Sequence, residues 1–212
     1  MPEIKERPIL FSAPMVRAFL EGRKTVTRRA LNSQALKNIG YGAQLGECHE
    51  LPSEGPLHPN SIGHYNDFCP FGQSGDRLYV RETFMDLRGT GVEHRPDPDG
   101  PLQRYAYRAD SPPGTHADEA RKDFGLKWKP SIHMPRAASR ILREITAVRV
   151  ERLQDISEDQ CIAEGIERHP AGFFGNGCTT AASAFQELWD STGGDWNANP
   201  WVWVVEFKQV TP

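Results

Sequence analysis

Seven consecutive residues, Arg23-Lys24-Thr25-Val26-Thr27-Arg28-Arg29, combine four cations with two hydroxyls. Arginine forks suit bidentate recognition of carboxylate or phosphate, whereas a lysine amine serves as a point charge or, once desolvated, as a base. Three weaker constellations stand beside this one. Cys48, His49, His64 and Cys69 can offer four zinc ligands, but Cys48 and His49 are adjacent and the spacing matches no standard finger. Loop histidines and an unpaired cysteine are the plain alternative, and no metal is assigned. Gly172-Phe173-Phe174-Gly175-Asn176-Gly177 precedes a helical stretch and can cradle an anion at the helix start. It lacks the Lys-Ser/Thr of a P-loop, and a flexible loop is the simpler reading. Trp196, in a polar loop, can stack on a base or pack as a lid or core residue. Neither a Ser-His-Asp order nor an HExxH helix is present.

The whole chain sets limits on this chemistry. Its 212 residues hold 25 Lys plus Arg against 28 Asp plus Glu, a net charge of -3. A protein that holds long duplexes by charge is usually strongly basic, so any nucleic-acid contact here is expected to be local. Of the basic residues 18 are Arg and 7 are Lys. Residues 121–152 carry +6 and residues 153–212 carry -7. A basic strand region packed beside an acidic C-terminal third accounts for that asymmetry, and a basic patch facing a ligand is the alternative. No apolar run approaches the roughly 18 residues of a membrane span. Met1 to Lys5 lacks the apolar stretch of a secretory signal. The four cysteines form no CxxC pair, which points to a reducing, cytoplasmic compartment.

Several elements are legible. Residues 8–11 read as a strand, followed by a helix with Ser12 as N-cap, Pro14 in its first turn and Gly22 closing it. Residues 23–29 look like a turn running into a strand. Residues 40–75 read as a long loop, and Gly75-Asp76 as a turn into a strand over 77–84. A strand at 103–108 lies between turn-rich stretches at 86–101 and 110–118. A long strand over 139–153 should bury Ile141, Ile145, Val148, Val150 and Leu153. Ser157 and Gln160 form a capping-box pattern opening a helix that Gly165 ends. A third helix is expected over 180–191. The apolar strand 201–207 should be buried on both faces. This mixture indicates an α+β fold around a small barrel or curled sheet.

The order of these pieces resembles the ASCH domain family, whose fold is a PUA-like β-barrel. The likeness rests on Gly22 to Arg29, on Gly75-Asp76-Arg77-Leu78-Tyr79-Val80, on the long strand leading to the helix Ile156 to Ile166, and on Trp203 to Lys208. Arg77 to Glu82 and Pro130 to Arg140 look most like the longer phage- and prophage-encoded members. The matching blocks (8–29, 73–84, 139–166 and 199–208) cover about a third of the chain. The resemblance implies one PUA-like domain over 1–212, a small β-barrel with flanking short helices and long loop insertions at 31–72 and 85–135.

Compact members of that family include amidohydrolases that remove the acetyl group from N4-acetylcytidine with a Lys, a Thr and a Glu. Those positions fall on Lys24, Thr27 and Glu164. The resemblance thus implies a hydrolase acting on a modified cytidine nucleoside or nucleotide, without a cofactor. Arg23, Arg28, Arg29 and Trp196 would be substrate-binding. One of Arg28 and Arg29 would meet a phosphate or the pyrimidine carbonyl, and the other would pair with the acidic C-terminal third. In a strict strand Lys24 and Thr27 face opposite ways, so the set converges only if the chain turns between them. Other family members bind RNA and some are associated with RNA cleavage. A non-catalytic module for RNA or a modified base, a ribonuclease and a phage accessory protein contacting a host partner are therefore alternative expectations.

Overall fold

The computed structural model describes residues 3–97, 99–172 and 174–210. Its strands, in chain order, are β1 (Glu6–Leu10), β2 (Val26–Ala30), β3 (Arg77–Arg81), β4 (Phe84–Asp86), β5 (Tyr105–Tyr107), β6 (Leu142–Arg152) and β7 (Trp201–Gln209). The helices are α1 (Ala13–Leu20), α2 (Ser33–Gln44), α3 (Ile62–Asp67), α4 (His116–Asp123), α5 (Glu158–Ala163) and α6 (Ala181–Ser191). Five strands form one mixed sheet in the order β1-β3-β6-β7-β2, and β4 pairs with β5 separately. The fold is α+β. Among the described residues no ladder joins β1 to β2, so the sheet is open along that seam. There the Arg29 guanidinium donates to the Leu10 carbonyl at 2.8 Å.

Strand β7 is buried on both faces, as its apolar run requires. Trp203, Val205 and Phe207 pack with Phe19, Val80 and Ile145 on one side. Val202 and Val204 pack with Leu153, Cys161 and Phe185 on the other. Helix α1 follows Ser12, which has extended backbone but makes no side-chain cap, and Gly22 closes the helix turn at φ +75°. The Ser157–Gln160 capping box is formed at the start of α5. The basic and acidic thirds meet as Arg149–Glu206 across β6 and β7, with Arg28 reaching back to Glu164.

Residues 40–75 are not one loop. Helix α2 runs to Gln44 and α3 occupies Ile62–Asp67. Two glycines and a polar composition conceal α2, but Ala35, Ile39 and Gly42 form a buried stripe. Gly42 is a contact point: a Cβ there would sit 2.7 Å from His64 Nε2. Likewise, the turn-rich stretch at 110–118 runs into α4, giving six helices rather than three among the described residues. The 85–135 region is a folded lobe, organised by buried Asp118, which accepts from Arg108 at 2.7 Å and Arg121 at 3.0 Å. Arg140 fastens this lobe to the sheet by joining Glu82 and Asp110. No helix among the described residues is long and apolar enough to cross a membrane.

Candidate active site

Nine polar or charged side chains are buried among the described residues, and four of them line one cavity of about 240 Å³. They are Lys24 (4 % exposed), Thr27 (1 %), Arg28 (2 %) and Glu164 (3 %). Larger hollows exist, of about 440 and 530 Å³, but none of the nine lines them. Burying a charge is costly unless it is paired, so such a concentration needs a reason beyond packing.

Local folding brings Lys24 and Thr27 together. The backbone N–H groups of Arg23 and Lys24 both donate to the Ala18 carbonyl, at 2.9 and 3.1 Å, folding the chain back over the end of α1. Thr25 then donates to Ala163 at the end of α5 and accepts from Phe207 of β7. The strand begins only at Val26, so Lys24 escapes the alternation that would send it away from Thr27. Thr27 and Arg29 share the β2 face of their cross-strand partners Val205 and Trp203, while Arg28 lies with Val204 on the other. All three line the cavity although they alternate in face, and β2 is the edge strand of the sheet. Phe11 and Ser12 form one wall, and Phe185, Leu188 and Trp189 of α6 the other.

At the centre, Lys24 Nζ donates to Glu164 Oε2 at 2.7 Å and to the Glu164 carbonyl at 2.6 Å. Burial pushes the Lys24 amine below its usual value, and the Glu164 carboxylate opposes that shift. Arg28 Nη1 approaches Glu164 Oε1 at 3.5 Å, and its Nη2 donates to Glu151 at 3.1 Å and Gln160 at 3.0 Å. Gln160 and Glu164, four residues apart, project from the same side of α5 toward Arg28. Glu151 also pairs with Arg149, which pairs with Glu206. The result is a line of alternating charge, Lys24–Glu164–Arg28–Glu151–Arg149–Glu206.

Gly165 sets the approach of α5 to this pair. Its φ is +101°, and a Cβ there would lie 2.9 Å from the Ala18 Cβ and 3.5 Å from that of Lys24. Gly165→Ala is therefore strained by conformation and by contact. It should cost about 1–3 kcal/mol, read as a lowered denaturation midpoint. An unchanged midpoint would refute this account of the α1–α5 contact.

The remaining sequence candidates separate. Arg29 lines the cavity, with its guanidinium carbon 4.9 Å from the Phe11 ring centre. Arg23 does not line it; Arg23 is held by Glu21 and donates to the Gly165 carbonyl at 2.8 Å, bracing the end of α5. Trp196 does not line it either. It packs beside Phe185 with ring centres 6.2 Å apart, because its backbone is anchored to Asp190 and Gln154. The cavity's tryptophan is Trp189, whose signal was the helical spacing of Phe185, Leu188 and Trp189.

The 172–177 loop does not leave the start of α6 open to an anion. The Glu158 carboxylate already accepts from Ala181 and Ala182 N–H, at 2.7 and 3.2 Å. Phe173 of that motif lies outside the described residues. Among the described residues no group of three or more His, Cys, Asp or Glu is arranged to hold a metal, so Cys48, His49, His64 and Cys69 do not converge. His49 instead stacks on His58, and burial raises the Cys69 thiol to about 11.

Comparison of the chain with protein-family models, with curated proteins and with solved structures finds no match in any of the three. The geometry of the cavity therefore carries the functional argument.

Proposed function

We propose that this chain is an amidohydrolase that removes the acyl group from an N4-acylated cytosine nucleoside or nucleotide. The observation that carries the reading is the buried Lys24–Glu164 pair, 2.7 Å apart, in a cavity that Thr27 also lines. The sequence resemblance to ASCH amidohydrolases, with their PUA-like barrel, supports it at the same three positions.

The chemistry follows from burial. In a low-dielectric site a lysine–glutamate ion pair can exchange for its neutral form by moving one proton across the 2.7 Å bond. The neutral Lys24 amine then takes the Thr27 proton as Oγ1 attacks the acyl carbonyl carbon. The protonated Glu164 gives its proton to N4 as the C–N bond breaks, which restores the charged pair and releases cytosine amine. Water completes the cycle by the same exchange: it attacks the threonine ester, Lys24 takes its proton, and Glu164 returns one to Thr27 Oγ1 as the ester C–O bond breaks and the carboxylic acid leaves. Arg28 holds the carboxylate in place from the side away from Lys24.

The test is release of the deacylated product from N4-acetylcytidine and from its 5′-monophosphate, followed chromatographically. Product is expected from the wild type and none from Thr27→Val, whose branched side chain fits the strand without a hydroxyl. No product from the wild type, or undiminished product from Thr27→Val, would end the reading.

A further inference from the structure

We propose that the cavity's ligand carries a phosphate, that Arg29 receives it, and that the ligand is a free mononucleotide rather than a neutral nucleoside or an RNA chain; this rests on the cytosine reading of the same pocket. The charges of the pocket supply the argument. Along Lys24–Glu164–Arg28–Glu151–Arg149–Glu206 three cations alternate with three anions, so each charge is matched. Arg29 stands outside this line. Among the described residues no carboxylate lies within ion-pair distance of it. Its guanidinium bonds go to the neutral carbonyls of Leu10, at 2.8 Å, and Arg28, at 3.5 Å. The Phe11 ring supports it by cation–π contact. Glu164 acts on Arg29 only from beyond ion-pair distance and is already bonded to Lys24 and Arg28, so positive charge remains at the wall of the cavity, on the side chain best shaped for phosphate.

Placement fits the size of one nucleotide. Arg29 is two residues beyond Thr27 on the same face of β2, roughly 7 Å along the strand. That spacing leaves room for a sugar between a base at Thr27 and a phosphate at Arg29. The surroundings disfavour a longer chain. A hollow of about 400 Å³ adjoins the cavity through shared Met15 and Leu188. It is lined by three carboxylates, Glu21, Glu167 and Glu187, against two guanidiniums, Arg17 and Arg23. A phosphodiester backbone leaving the cavity by that route would meet net negative charge.

Calorimetric titration of the full chain with cytidine, cytidine 5′-monophosphate and a cytidine pentanucleotide tests this. The monophosphate should bind at least about tenfold more tightly than cytidine, the size expected for a charge-assisted contact. Arg29→Gln should remove the difference, and Arg29→Lys should keep part of it, which guards against a variant that merely misfolds. The pentanucleotide should bind no more tightly than the monophosphate. Equal affinity for cytidine and its monophosphate, a preference that survives Arg29→Gln, or clearly tighter pentanucleotide binding would each overturn the proposal. Failure to release cytidine 5′-monophosphate from N4-acetylcytidine 5′-monophosphate, with the monophosphate preference intact, would instead refute the amidohydrolase reading alone.

Discussion

Lys24→Ala is expected to abolish release of cytidine from N4-acetylcytidine and, separately, to lower folding stability by about 3–5 kcal/mol. The second effect arises because the Glu164 carboxylate, only 3 % exposed, would lose its nearest counter-charge and keep only the longer 3.5 Å contact to Arg28. Removing one partner of a buried pair is costly, whereas replacing both by apolar groups of similar volume is often nearly neutral. That asymmetry separates chemistry from architecture. The double variant Lys24→Met, Glu164→Leu should recover much of the stability lost by Lys24→Ala, because Arg28 retains Glu151 and Gln160. It should recover none of the activity. Urea denaturation and product release, measured on the same preparations, give both readings. If Lys24→Ala turns over substrate at the wild-type rate, the proton exchange we propose is wrong.

Arg28 should show the other large effect. Its guanidinium is completely enclosed and touches three side chains: Glu151 of β6, Gln160 of α5 and Glu164 just beyond that helix. Arg28→Ala strands Glu164 on one side and frees Gln160, whose Oε1 also accepts from the Ser157 N–H in the capping box. A loss of about 3–5 kcal/mol is expected. Arg28→Lys should rescue less than half of it, because one ammonium on a flexible stem cannot reproduce the planar fork. Equal denaturation midpoints for the lysine variant and the wild type would show that charge alone suffices there.

Much of the fold was legible because its strongest signals are local. The apolar run at 201–207, the alternation at 77–81 and the Ser157–Gln160 box each declare an element within a few residues. Gly22 and Gly165 mark helix ends where positive φ is needed, and the structure uses them so. Helix α2 was hidden because its two glycines and polar residues argue against a helix, while the packing of His64 and Cys48 against Gly42 comes from elsewhere in the chain. The site shows the same division. Residue types within 23–29 announced cations and hydroxyls. That Lys24 lies in the turn, and so joins Thr27, depends on the bonds to Ala18, Ala163 and Phe207, which no spacing rule encodes. Arg23 and Arg28 share the same substrate-binding expectation. One became a brace on Gly165 and the other a buried clamp because one precedes the strand and the other lies within it.

The alternating line of charge also has an outer end. Arg149 and Glu206 are partly open to water, with side chains 29 % and 43 % exposed. Solvent therefore holds a handle on groups that it cannot touch. Neutralising Glu206 would leave Arg149 free to draw Glu151 toward itself. Arg28 would then lean harder on Glu164, and the carboxylate's hold on the Lys24 amine would slacken. The buried pair is in this sense joined to the surface through two shared carboxylates, Glu164 and Glu151.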